Sequence, residues 1–155
     1  MTKLRLSEWA NIAEMVGAVA VVVSLLYVGI QINANTVEVR AASRQQLINR
    51  SFIATGNAAT SPELAGALAK AVEGTQLTAQ ELSQYRYFVR GMLYDIQEAY
   101  FLYTEGRLDE GYWQTRIAIF MAYMENPAAR DVYLRDKKLG VLHSEFVKWA
   151  DHAIE

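Results

Sequence analysis

Five charged residues have the types and spacing to form a polar constellation. Arg86 and Arg90 share one flank of a predicted helix, and Asp95 and Glu98 follow about two turns on. Arg116 lies on the next predicted helix. A carboxylate beside a guanidinium can be a structural ion pair or a proton acceptor of shifted affinity. Proton transfer would need a second catalytic group, and the sequence supplies none. An unpaired charge inside a bundle is costly. These five residues are therefore read as structural ion pairs, with Arg116 the candidate partner of Glu98.

Other chemistry is thinly represented. With no cysteine among 155 residues, disulfides, Cys-bearing zinc sites and thiol nucleophiles are excluded. The two histidines, His143 and His152, each lack a Glu three residues before them, which removes the carboxylate-bundle di-metal pattern. No Gly-x-Ser-x-Gly elbow, glycine-rich phosphate loop or His-Glu-x-x-His is present. Asp151-His152 is expected to face water, and Asp136-Lys137-Lys138 reads as a solvated helix end. No catalytic residue, metal ligand or cofactor is expected. Lys and Arg total 15 against 17 Asp and Glu, a net charge of −2, so no nucleic-acid footprint appears.

The elements that would hold these residues are helical throughout. Ser61-Pro62 opens a segment that Gly74 closes, and Thr78 with Glu81 forms a capping box for the next. That helix runs to Glu105, with Leu82, Tyr85, Val89, Met92, Ile96, Ala99 and Tyr103 alternating by three and four. Phe88, Tyr94, Tyr100 and Phe101 fall off this stripe, which predicts a central helix. Asp109 caps a helix to Glu125, Asn126-Pro127 starts another toward Lys138, and Ser144 caps the last. The fold class is all-α. Eleven of the 17 aromatic residues lie between Tyr85 and Tyr123. They read as core, or alternatively as an aromatic-lined site for a small apolar ligand in a membrane-anchored sensor or binding module.

The apolar excess lies near the start. Met15–Ile32 is an 18-residue run, and no charge falls between Glu14 and Glu38. A bilayer core of about 30 Å needs roughly 20 helical residues, with a lower limit near 17. Ten of its positions are Val, Leu or Ile, which supply about −3 to −6 kcal/mol of insertion. An 18-residue run with no turn signal is too long for a strand. Glu8, Glu14 and the lack of a small-x-small site read against a cleaved signal. The expected organisation is a flank and transmembrane helix over 1–35, a connecting helix over 36–58 and a bundle over 59–155. The connecting helix should end near Thr55-Gly56-Asn57, with Val39, Gln46, Leu47, Arg50 and Ile53 as its thin seam. Within the span, Ala10, Ala13, Gly17, Ala20 and Ser24 form one stripe of small side chains, where another helix could approach closely. Lys3 and Arg5 precede the run and Arg40, Arg44 and Arg50 follow it, which leans toward a cytoplasmic C-terminal domain.

The stretch Trp9-Ala-Asn-Ile-Ala-Glu14, then Gly17 through Gln31 and Asn35-Thr36, resembles a broad group of small uncharacterised bacterial proteins. These carry one N-terminal span and a helical tail, and Phe88-Val-Arg90, Glu98-Ala99, Glu105–Glu110 and Trp113 are similar to that tail. The group usually has an Arg just after the Gln that closes the span, where this chain has Asn33-Ala34 nearby. The resemblance implies a bacterial inner-membrane, single-pass topology and no particular activity. The expected function is a non-catalytic accessory or scaffolding subunit of a larger membrane assembly. Its partners would be the lipid bilayer and a transmembrane helix of another membrane protein or of a second copy.

Overall fold

The computed structural model describes residues 6–155, and side chains from Trp9 onward. Six helices follow one another: α1 (Leu6–Thr60), α2 (Pro62–Glu73), α3 (Ala79–Thr104), α4 (Glu110–Glu125), α5 (Pro127–Lys138) and α6 (Ser144–Ile154). No strand occurs among the described residues, and the fold is all-α. Lys3 and Arg5, counted above for orientation, lie outside the described residues. The chain groups into two compact units, Met1–Val39 and Arg40–Glu155, and α1 contributes to both.

In the first unit, every side chain from Trp9 to Glu38 is exposed. The helix is long and apolar enough to cross a membrane, with an 18-residue window of mean hydropathy 2.3, none of it buried. Three of its polar side chains bond within the helix. Ser24 Oγ donates to the Ala20 carbonyl at 2.8 Å, Thr36 Oγ1 to Ile32 at 2.9 Å, and Gln31 Nε2 to the Tyr27 hydroxyl at 2.8 Å. Such back-bonding removes most of the cost of a hydroxyl in an apolar medium.

The second unit is organised on α3, which packs against α2, α4 and α5. Tyr85, Val89, Met92, Ile96 and Ala99 of the expected stripe are buried, and Leu93 and Leu102 join them. One core cluster joins Val89, Leu93 and Ile96 to Phe120, Val132, Tyr133 and Phe146. A second joins Leu47 of α1 to Ala99, Leu102, Leu108 and Trp113. Tyr100 and Trp149 touch both.

The helix ends follow local chemistry. Thr78 and Glu81 form the capping box, Asp109 caps α4, and Asn126 Oδ1 caps α5 by accepting from Ala128 and Ala129. Gly74, Gly106 and Gly140 close α2, α3 and α5 at φ +70°, +72° and +68°, where a Cβ would be strained.

Three local expectations are corrected. α1 runs through Gly56 to Thr60, because an interior glycine costs only about 1 kcal/mol and nothing forbids helix before the residue preceding Pro62. Its packed seam is Ser43 and Leu47, both buried, followed by half-buried Ser51; Gln46, Arg50 and Ile53 are exposed. The last helix is capped by His143 rather than Ser144, since the His143 Nδ1 accepts the Glu145 N–H at 3.3 Å.

Candidate functional site

The densest polar cluster forms where α1, α3 and α4 meet within the second unit. Arg116 Nη1 donates to Asp95 Oδ2 at 2.8 Å, and the two side chains are 4% and 8% exposed. Ser51 sits across this pair: its hydroxyl donates to Asp95 Oδ2 at 3.1 Å and accepts from both Arg116 terminal nitrogens at 3.1 Å. Arg116 Nη2 also donates to the Tyr112 hydroxyl at 2.7 Å, with its guanidinium carbon 5.0 Å from that ring's centroid. Arg116 thus meets Asp95, not Glu98. The reason is phase: Asp95 shares the buried face of α3 with Met92, Ile96 and Ala99, whereas Glu98 is half-buried on the flank. Among the described residues, Glu98 and Arg86 form no ion pair.

Arg90 turns the other way. Its Nε and Nη2 donate to Asp136 Oδ2 and Oδ1 at 2.7 and 2.6 Å, a two-pronged pair tying α3 to α5. Asp136 has no exposed surface, so the reading of 136–138 as a solvated helix end fails at its first residue. Asp151 faces water in part, with its side chain 36% exposed, and is also paired. It accepts from Lys137 at 2.6 and 2.8 Å and from the Tyr133 hydroxyl at 2.9 Å. The Lys137 ammonium holds the Asp151 carboxyl below its usual range, while burial, then Asp151 itself, pushes the Tyr133 phenol up. His152 is exposed.

Sequence reasoning missed Ser51, Tyr112 and Asp136, though two of them carry a signal. Asp136 continues the Ala129, Val132, Tyr133 spacing, and Ser51 continues Ser43, Leu47. A polar residue on an apolar period is the one that must be paired.

Tyr100, Trp113, Phe120, Phe146 and Trp149 form core, whereas Tyr85, Phe88 and Tyr123 line a groove. Trp149 packs on Trp113, Phe120 and Phe146 with ring centroids 4.9, 5.3 and 5.5 Å apart, and Tyr100 packs on Trp113, Phe146 and Trp149. These offset and edge contacts fill the space between α3, α4 and α6.

No protein family matches this chain, and neither a curated protein nor a solved structure does. Its own geometry carries the argument. Among the described residues, no three His, Asp or Glu side chains are placed to hold a metal. Asp95 and Asp136 each pair with a guanidinium, which fastens α3 to α4 and α3 to α5, while Asp95 Oδ1 is buried without a hydrogen-bond partner.

The stripe residues Ala10, Ala13, Gly17, Ala20 and Ser24 all lie on the exposed part of α1. A Cβ at Gly17 would meet nothing within 4 Å, so that position is open to a neighbouring helix.

Proposed function

We propose that the chain is a non-catalytic accessory or scaffolding subunit of a larger membrane assembly, anchored by the apolar part of α1. The observation that carries this reading is the helix surface from Trp9 to Ile32. It includes Met15, Leu25 and Ile30 at 66%, 66% and 69% exposure, and every side chain along it is exposed. Soluble proteins rarely expose a contiguous apolar surface of this extent. A bilayer would cover it, and the small-residue stripe would admit a transmembrane helix of a partner protein or a second copy. The pairing of the charged side chains into interhelical fasteners supports a domain built to be rigid rather than to perform chemistry.

The test is mild-detergent extraction, native sizing and identification of co-migrating proteins, for the native chain and for Gly17→Leu. Co-migration of the native chain with a constant partner set, and release of Gly17→Leu with its helical content unchanged, is expected. Retention of Gly17→Leu in the assembly would overturn the stripe as the contact, and a lone native species would overturn the subunit reading.

We assign the membrane as a bacterial inner membrane, on the sequence resemblance, with the C-terminal domain on the cytoplasmic side. The chain has no cysteine, so Val141→Cys, at an exposed position, reports orientation cleanly. Blocking by an impermeant maleimide only after the membrane is opened is the expected result. Blocking in intact spheroplasts would reverse the assignment.

A further inference from the structure

We infer that the groove between α2, α3 and α4 binds a small uncharged molecule with an apolar body and one carbonyl oxygen. The groove has a volume of about 380 Å³ and is walled by Leu68, Val72, Tyr85, Phe88, Tyr123 and Asn126. That volume lies in the range of about 300–1,000 Å³ typical of small-molecule sites. The inference is independent of the accessory-subunit reading, since it uses only the second unit.

Two hydrogen-bond donors among the lining residues have only long bonds. The Tyr85 hydroxyl donates to Asn126 Oδ1 at 3.5 Å, well beyond the usual 2.7–2.8 Å of an O–H···O bond. That amide oxygen has two lone pairs, and it already accepts the N–H groups of Ala128 and Ala129 at 2.9 and 3.2 Å. Tyr85 is therefore a third claimant, on a residue only 4% exposed. The Asn126 Nδ2 has a similarly stretched bond, 3.5 Å to the Ala71 carbonyl. An acceptor oxygen within reach of both donors would complete them. Burial pushes the Tyr85 and Tyr123 phenols above their ordinary value, which keeps them as O–H donors.

The rest of the wall sets the ligand's body and charge. Leu68, Val72, Phe88 and the tyrosine rings offer apolar surface, and no Lys, Arg, Asp or Glu lines the groove. An ionised head group would enter unpaired, at high cost. A carboxylate or ammonium ligand is thereby disfavoured, and a single ketone or ester carbonyl fits.

Benzophenone tests this directly, because it is an uncharged aromatic ketone that photo-crosslinks where it binds. The full chain, in lipid nanodiscs, would be irradiated over a range of benzophenone concentrations and the labelled residues mapped by mass spectrometry. Saturable labelling around Leu68, Val72 and Ala122 is expected. Diphenylmethane, which lacks the carbonyl, should compete at least several-fold less well. Tyr85→Phe should weaken half-saturation about threefold to tenfold, the worth of one hydrogen bond. Ala122→Trp places a large ring at an exposed groove position and should abolish the labelling with helical content unchanged. Labelling confined to the apolar part of α1, or groove labelling indifferent to both variants, would overturn the proposal. If Tyr85→Phe fails to fold, the Ala122→Trp and diphenylmethane comparisons decide it.

Discussion

Arg90 grips Asp136 through two hydrogen bonds of 2.6 and 2.7 Å, and the carboxylate it holds is completely buried while the guanidinium keeps a solvent edge. The asymmetry matters. Removing the arginine strands a charge that water cannot reach. Arg90→Ala should lower the unfolding free energy by about 3–5 kcal/mol, the range for breaking a buried pair. Urea melts of the full chain in mild detergent measure it, and Arg90→Lys should fall between the two because it keeps charge but loses the second prong.

The Asp95–Arg116 pair should behave non-additively. Asp95→Leu or Arg116→Met alone leaves one desolvated partner, whereas the two together leave neither charge. The double variant is expected to be more stable than either single one, by at least about 1 kcal/mol. A double-mutant cycle that comes out additive would show the pair to be uncoupled.

Glu81 gives the second unit an acid-sensitive corner. The Lys70 ammonium at 2.6 Å and the Thr78 backbone N–H at 2.8 Å hold its carboxyl down at about 2, against an ordinary value of 4.5. A carboxyl with a lowered folded value contributes stability that is complete above 4.5 and lost as pH falls toward 2. The Tm gap between the native chain and Glu81→Gln should therefore be widest above about pH 5 and shrink steadily on acidification below it. A gap that stays constant with pH would mean that Glu81 acts by packing alone.

Phe120 lies at the junction of α4, α5 and α6, with no exposed surface and ring contacts to Tyr133, Phe146 and Trp149. Phe120→Ala should cost about 3–5 kcal/mol. Phe52→Ala, at a side chain 76% exposed, should change stability by less than about 0.5 kcal/mol. The pair of melts separates core from surface aromatics in one experiment.

What could be read from the chain beforehand was whatever depends on neighbours along it. The capping box at Thr78 and Glu81, the Asp109 cap, the glycine stops and the α3 stripe all arise from local geometry. Partner choice depends on where another helix places its side chains. Hence the sequence pairs Arg116 with Glu98, whereas Asp95, three residues earlier on the buried side of α3, holds it. The thin seam of α1 is met at Leu47 and half-buried Val39 but not at Gln46, Arg50 or Ile53, for a related reason. Ile53 looked like core by type, but the packed line follows Ser43, Leu47 and Ser51, two of them serines. The groove at Tyr85 and Asn126 is legible in the sequence only as the aromatic-lined alternative for Tyr85 to Tyr123, because its walls are set by the gap between three helices.

Leu47 is the last fully buried residue of α1, although the helix continues to Thr60. Thirteen residues therefore remain helical with only the Ser51 contact and half-buried edges to hold them. Backbone amides there should trade hydrogen for deuterium long before those of α3, whose opening requires the core to come apart. The same helix would thus have two lifetimes within the second unit, slow around Leu47 and fast beyond it. Any protein that engages the 48–60 segment would meet a strand of backbone that is already, for a small fraction of the time, free to take another shape.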